Sequence, residues 1–304
     1  MNWAFRSEMP VALITGLYGF TGRYLADELR SAGYNIVGMG QEEGTHSDTQ
    51  YFRCDLNDRT EVARAVDIIS PDVVVHLAAI AFAAHDNADA IYRTNIVGTR
   101  NLLEALVNCL RVPRSILLAS SANIYGNATV SPISEMTSPA PANDYAVSKL
   151  AMEHMAHLWV EKLPITVVRP FNYTGVGQSL LFLLPKIVDH FKRRAPVIEL
   201  GNLDVIRDFS DVRLVVRCYR LLIEASQRGE AFNICSGVGH SLQEVISTMR
   251  KLSGHDLNVV VNPAFVRSNE VHKLIGSRAK LEAAIGKSES IPLQDTLQWM
   301  LAAD

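Results

Sequence analysis

Tyr145-Ala146-Val147-Ser148-Lys149 sets a phenol and an amine four residues apart. Residues four apart share one face of a helix, so the spacing predicts that Tyr145 and Lys149 project together, with Asn143 or Asp144 capping the helix just before them. A tyrosine of pKa about 10 exchanges protons poorly at neutral pH. An adjacent cation and a helix N-terminus lower that value toward the working range, which suits proton delivery to a carbonyl under reduction. Ser121, from the Ser120-Ser121 pair that follows an apolar run, can hydrogen-bond the same oxygen. The competing reading is an ordinary amphipathic helix, with the tyrosine packed and the lysine in solvent.

A second constellation is Gly16-Leu17-Tyr18-Gly19-Phe20-Thr21-Gly22, which follows the run Val11 to Thr15 directly. Glycines in such a turn let the backbone approach a pyrophosphate, whose charge is favoured by the free N–H groups of the helix that the turn opens. A purely structural turn is the alternative. In the usual NAD arrangement an acid ends the second strand and takes the ribose hydroxyls. That place falls near Gly40 here, followed by Gln41 and Glu42. Glu42 and Glu43 read as a solvated loop or as late ribose ligands, and Arg23 as a residue within reach of a phosphate. Asp55, in Cys54-Asp55-Leu56, reads as an adenine contact or as a helix-start residue.

The elements that must position these residues alternate. Strands are expected at Val11 to Thr15, Tyr34 to Met39, Tyr51 to Arg53, Val73 to His76, Ser115 to Ala119 and Ile165 to Arg169. Helices are expected at about Thr21 to Ser31, Arg59 to Ile69, Ala88 to Cys109 and Tyr145 to Lys162. This is the α/β pattern of a Rossmann-type, doubly wound parallel sheet. Past Arg169 the alternation loosens at Pro170, Gly175 and Gly177, and a helix is expected near Leu180 to Arg194. The helix Asp211 to Ser226 and the strand Ala231 to Cys235 can return to the first sheet. The expected division is therefore interleaved: 10–171 plus about 206–235 for a dinucleotide, about 172–205 plus 236–304 for a smaller substrate-binding domain.

The marks of the first 175 residues resemble those of the extended short-chain dehydrogenase/reductases. They are the glycine turn, Asp55-Leu56, His76-Leu77-Ala78-Ala79, Asn95 with Gly98, Ser120-Ser121 then Tyr125-Gly126, Tyr145 to Lys149, and Arg169-Pro170-Phe171-Asn172. The resemblance implies an acid/base role for Tyr145, nicotinamide-ribose binding and a lowered tyrosine pKa for Lys149, and carbonyl polarisation for Ser121. It implies NADP or NAD as cofactor, NADPH being the first choice, with Gly16, Tyr18, Gly19, Phe20, Thr21, Gly22, Asp55, Leu56, Leu77, Ala78, Ala79 and Asn95 around it. Asn95 looks like the family asparagine that supports the active-site helices. Phe171 to Gln178, Gly201 to Phe209, Phe232 to Gly237 and Val266 to Glu270 look most like GDP-4-keto-6-deoxy-D-mannose reductases, which form GDP-D-rhamnose. That likeness implies Arg207 and Arg267 on a diphosphate, a job suited to the planar guanidinium. It also implies Asn172, Asn123, Glu270 and Lys186 on the nucleotide sugar, with Ser121 and Tyr145 at its reacting oxygen. The plainer readings are an Arg207 salt bridge with Asp208 or Asp211 and a solvated Lys186.

Other chemistries are disfavoured. Sugar-nucleotide 4,6-dehydratases need an acid two positions after the catalytic Ser or Thr, and Asn123 stands there; an amide supplies no general acid/base catalysis. A 4-epimerase with retained NAD, a 6-deoxytalose-forming reductase and a non-catalytic cofactor-sensing regulator remain as alternatives. His154 and His157 lack metal-ligand partners in sequence, and no nucleophile elbow accompanies His85-Asp86 or His240-Ser241. The net charge of −3 offers no general basic field for nucleic acid or an anionic membrane. The run Val11 to Thr15 is too short for a signal segment or a membrane span. Four dispersed cysteines fit a reducing cytoplasm. The resemblance implies a homodimer paired through Ala88 to Cys109 and Tyr145 to Lys162.

Overall fold

The short β-branched runs of the first half become strands in the computed structural model, which describes residues 9–42, 49–80, 87–265, 272–287 and 289–303. In order come β1 (Val11–Thr15), α1 (Phe20–Ser31), β2 (Asn35–Gly40), β3 (Gln50–Arg53), α2 (Arg59–Ile69) and β4 (Val73–His76). Then follow α3 (Ala88–Tyr92), α4 (Thr99–Asn108), β5 (Ser115–Ala119), α5 (Asp144–His157) and β6 (Ile165–Pro170). β1 to β6 pair in parallel, Leu13 opposite Val37 on one side and Val74 on the other. A parallel strand is covered on both faces, which is why β4 reads Val-Val-Val-His with every residue buried.

Two of the expected helices differ in ways that bear on the site. The single helix expected at Ala88 to Cys109 runs through α3 and α4 with right-handed helical backbone at both junctions, but its middle, Arg93–Gly98, is a π-helical segment. The wider turn swings Asn95 out of the helical register toward Ile80, whose N–H and C=O it binds. α5 stops at His157 instead of Lys162, because Trp159 and Lys162 close three-residue turns on Ala156 and Trp159 ahead of Pro164.

The second half supplies β7 (Asn172–Thr174), α6 (Leu183–Lys192), β8 (Val197–Leu200), β9 (Ile206–Asp211), α7 (Val212–Ala225) and β10 (Ala231–Ile234). β11 (Gly239–Ser241), α8 (Leu242–Ser253), β12 (Asn258–Val261), β13 (Lys273–Leu274), α9 (Ala279–Ile285) and α10 (Leu293–Ala302) complete it. β10 returns to the first sheet, whose seven-stranded order is β10-β6-β5-β4-β1-β2-β3. The chain divides into two compact units. One comprises Met1–Ser121, Asn143–Arg169 and Val216–Phe232, the other Ala122–Ala142, Pro170–Val215 and Asn233–Asp304.

The first unit packs α2, α4 and α5 on the sheet around Leu13, Val66, Leu102, Leu106, Ile116 and Met152. The second unit has β11-β9-β13 with β7 on β9, and a β12-β8 pair. Its own core is formed by α6, α8 and α10 around Ile187, Phe191, Ile246, Met249 and Leu297. Ser241 and Glu244 close a capping box on α8, and left-handed Gly254 ends it. No helix among the described residues is long and apolar enough to cross a membrane.

Candidate functional site

The first unit carries the glycine turn at the carboxyl ends of its strands, where the crevice of an open α/β sheet lies. Gly16 has φ +72°, and a Cβ there would meet Ala78 N at 3.0 Å. A Cβ on Gly22 would come within 2.3 Å of Gly16 O, so no larger residue closes this turn. α1 begins at Gly19 with no side-chain cap and no acid in its first turn. By contrast, Asp58, Asn87 and Asn143 cap α2, α3 and α5. A helix start whose cap position is a glycine with no side chain of its own, reached by bare backbone, fits a dinucleotide pyrophosphate. Tyr18, Phe20 and Thr21 lie within this turn and its helix start, half-buried.

Asp55 follows β3. Its Oδ1 accepts from Asn57 N–H and Nδ2, which holds the carboxyl below the ordinary Asp range. The helix-start role belongs instead to Asp58, whose side chain takes Thr60 and Glu61 N–H. Leu77, Ala78 and Ala79 continue β4 and are half-buried. Behind them runs a buried polar chain. Ala78 N–H donates to Thr15 Oγ1 at 3.1 Å, which lies 2.7 Å from His76 Nδ1; His76 Nε2 lies 2.9 Å from Thr99 Oγ1, and that hydroxyl donates to Asn95 O. Because Thr99 gives its proton to Asn95, the network assigns the His76 proton to Nε2. Burial, then the nearby Lys149 charge, pushes His76 down to about 3, so it is a neutral strut.

α5 presents Tyr145 and Lys149 on one face, the lysine ammonium 5.9 Å from the tyrosine ring centroid. Lys149 is buried, and its Nζ donates to Ala119 O at the end of β5 at 2.7 Å. Burial lowers its pKa to about 8, Glu153 one turn further along opposing the shift. An ammonium held so close to neutrality beside a phenol can share in proton transfer at physiological pH. Asn95 Nδ2 donates to Ser148 Oγ at 3.0 Å, tying the π-helical segment to α5. Ser121, two residues past β5, is buried. Glu153, which no motif in the sequence singles out, takes Arg169 Nε and Nη2 on its carboxylate in a bidentate pair. Its place four residues after Lys149 was the available signal.

In the second unit Asn172 opens β7, and its Nδ2 is buried without a hydrogen-bond partner. An unmet buried donor marks a place for an acceptor on a ligand. Asn123 lies exposed in the short 3₁₀ turn Ala122–Tyr125. Arg207, on β9, donates to Ile206 O and His272 O. The carboxylates weighed as its salt-bridge partners have other bonds: Asp208 accepts from Ser236 and Gly237, and Asp211 pairs with Arg213. Lys186 donates to Glu199 O and stands 4.8 Å over the Phe265 ring. Arg267, Glu270, Glu43, His85 and Asp86 fall outside the described residues.

Comparison with known proteins gives a consistent answer. Residues 12–235 match the model of the NAD dependent epimerase/dehydratase family. The chain is 35% identical over 277 residues to a GDP-6-deoxy-D-talose 4-dehydrogenase of Aggregatibacter actinomycetemcomitans, covering 90% of each. It is 34% identical over 244 residues to a GDP-6-deoxy-D-mannose reductase of Pseudomonas aeruginosa, covering 76% of this chain and 80% of the relative. Among solved structures, a Burkholderia cenocepacia J2315 protein provisionally called an epimerase superposes with TM-score 0.92 at 50% identity, over 98% of both chains. RMD from Pseudomonas aeruginosa, solved with NADPH, gives TM-score 0.85 at 30% identity over 97% and 98%.

Proposed function

We propose, from the premise that this chain belongs to the NAD dependent epimerase/dehydratase family, that it reduces the C4 ketone of a GDP-linked 4-keto-6-deoxyhexose, with GDP-4-keto-6-deoxy-D-mannose going to GDP-D-rhamnose. That it is an NAD(P)-dependent enzyme of nucleotide-sugar modification follows from the family and from the two curated relatives. The observation that carries the reductive reading is the buried Lys149 ammonium, pinned to Ala119 O beside Tyr145.

When bound, the reduced nicotinamide supplies a hydride. Tyr145 Oη gives its proton to the C4 oxygen, and Lys149 steadies the phenolate left behind. Ser121 Oγ donates to that same oxygen and fixes its direction. The glycine turn would hold the pyrophosphate of the cofactor, and Asp55 with Leu77 to Ala79 would be among the residues that hold the rest of it. Arg207 and Arg267 pair the substrate diphosphate, and Asn172 Nδ2 finds its acceptor on the sugar phosphate or a hydroxyl. Lys186, Asn123 and Glu270 complete the substrate set. In this reading 10–171 with about 206–235 serves chiefly the dinucleotide and the remainder chiefly the sugar nucleotide, Ser121, Asn123, Tyr145 and Arg207 being the residues of the first set that act on the substrate. The assembly in this reading is a homodimer, for which light scattering at micromolar concentration should give twice the chain mass.

A second reading is favoured by the 35% identity to the talose dehydrogenase: the opposite C4 configuration, so that the pair is GDP-6-deoxy-D-talose and its 4-ketone. The test is NADH and NADPH oxidation with freshly generated GDP-4-keto-6-deoxy-D-mannose, beside Tyr145→Phe. Turnover that the variant loses supports reduction. A large H3–H4 coupling in the product identifies rhamnose, a small one talose. Failure of the native protein to oxidise either coenzyme overturns the proposal, and NAD released on mild denaturation points to the epimerase.

A further inference from the structure

Gly40 ends β2 where an acid ordinarily meets the adenosine ribose, yet a carboxylate is nonetheless brought to that end of the strand. Glu42 folds back so that Tyr51 Oη donates to its Oε2 at 2.9 Å. Tyr51 stacks on Tyr18 of the glycine turn, with ring centroids 4.6 Å apart and planes at 30°. The glycines of β2 make room for this arrangement. A Cβ on Gly40 would stand 2.6 Å from Tyr51 Oη and 2.9 Å from Glu42 Oε2, and one on Gly38 would stand 2.5 Å from the Tyr51 ring. The strand thus gives up its own side chains at these places to seat a tyrosine and, through it, an acid borne two residues later.

We infer that Glu42, oriented by Tyr51, selects NAD(H) over NADP(H). A carboxylate accepts hydrogen bonds at about four lone-pair positions, of which the Tyr51 bond uses one, so ribose hydroxyls can still donate to it. A 2′-phosphate in the same place meets a like charge, and apposed like charges cost affinity. Burial first, then Glu42 itself, raises the Tyr51 pKa, so the phenol stays protonated and keeps its role as donor. One neighbouring cation pulls the other way: Arg53, opposite Gly40 in the β2–β3 register. Glu42 outweighs it because the Tyr51 bond fixes its carboxylate on the platform that adjoins the glycine turn. This reverses the coenzyme order expected from the sequence. It rests only on nicotinamide dependence, not on the sugar assigned above.

The test is equilibrium binding of NADH and NADPH, by quenching of protein fluorescence or by calorimetry with no sugar present, on the native protein, Glu42→Gln and Tyr51→Phe. The native protein should bind NADH at least about 10-fold more tightly, a gap of about 1.4 kcal/mol. Glu42→Gln should close most of that gap, chiefly by tightening NADPH. Tyr51→Phe keeps the ring on Tyr18 but frees the carboxylate, and should narrow the gap by weakening NADH. Melting curves confirm that both variants fold. A native preference for NADPH, or a ratio unmoved in Glu42→Gln, overturns the inference whatever the sugar assay shows. Sugar turnover that fails while the ratio behaves as stated removes the reductase reading and leaves this one standing.

Discussion

Asn95 and Ser148, 53 residues apart in sequence, are joined by a 3.0 Å hydrogen bond from Asn95 Nδ2 to Ser148 Oγ. Ser148 in turn donates to Tyr145 O, so the π-helical segment bears directly on the backbone of the helix that carries Tyr145 and Lys149. Asn95→Ala also strips Ile80 N–H and C=O of their partner. Buried groups left unmet cost about 1–3 kcal/mol, so the melting temperature should fall by several degrees. If Asn95 also orients α5, kcat should fall more than the KM for coenzyme changes. Steady-state kinetics on the folded variant check this, and an unchanged kcat would reduce Asn95 to a structural residue.

Lys149 sets an alkaline limit. Its pKa is lowered by burial to about 8, so above that pH the charge that steadies a tyrosinate is progressively lost. Reduction should decline on the alkaline side with an apparent pKa near 8 that belongs to the Tyr145–Lys149 pair as a unit. Lys149→Arg keeps a charge across the range, and any activity it retains should show that limb displaced upward. The measurement is kcat/KM against pH for both proteins.

His76 sets an acid limit on stability. Its folded value of about 3 lies below the ordinary 6.5, so below pH 6.5 the unfolded chain takes up a proton that the folded chain refuses. The stability associated with neutral His76 is full above pH 6.5 and is lost as pH falls from there toward 3. The slope is about 1.4 kcal/mol per pH unit once well below 6.5. His76→Gln retains a donor and an acceptor but does not titrate. Its melting temperature should start lower at pH 7 and fall less steeply between pH 6.5 and about 4.5. Parallel curves for the two proteins would show that another group governs acid denaturation.

What could be read from the sequence divides along a physical line. β1, β4, β5 and α2 have the expected bounds, because a β-branched run or a 3.6-residue apolar period closed by Gly, Pro or Asp is local information. The pairing of Tyr145 with Lys149 is local in the same sense. The π-helical segment is not, since it depends on Asn95 finding Ile80 across 15 residues of chain. The fold-back of Glu42 likewise depends on Tyr51, which arrives on the next strand. A loop acid looks solvated until the donor that orients it is in place. Lys186 and Arg207 were legible as cations, but their bonds to the carbonyls of Glu199, Ile206 and His272 were not.

Glu153 and Arg169 form the most enclosed ion pair near Lys149, their side chains 9% and 11% exposed. Removal of one member leaves the other charge buried, at a cost of about 3–5 kcal/mol, so Glu153→Gln should be strongly destabilised. Replacement of both by methionine should recover most of that loss, because apolar groups of similar volume carry no desolvation penalty. The pair also acts on proton chemistry. Glu153 is the charge that holds the Lys149 pKa up against burial. In Glu153→Gln that support is gone and Arg169 remains, so the alkaline limb of kcat/KM should move to lower pH. In the double variant Arg169 is gone as well, and the limb should return part of the way. A role confined to packing would change stability along this series and leave the limb where it stands in the native protein, which is the result that would remove Glu153 from the chemistry.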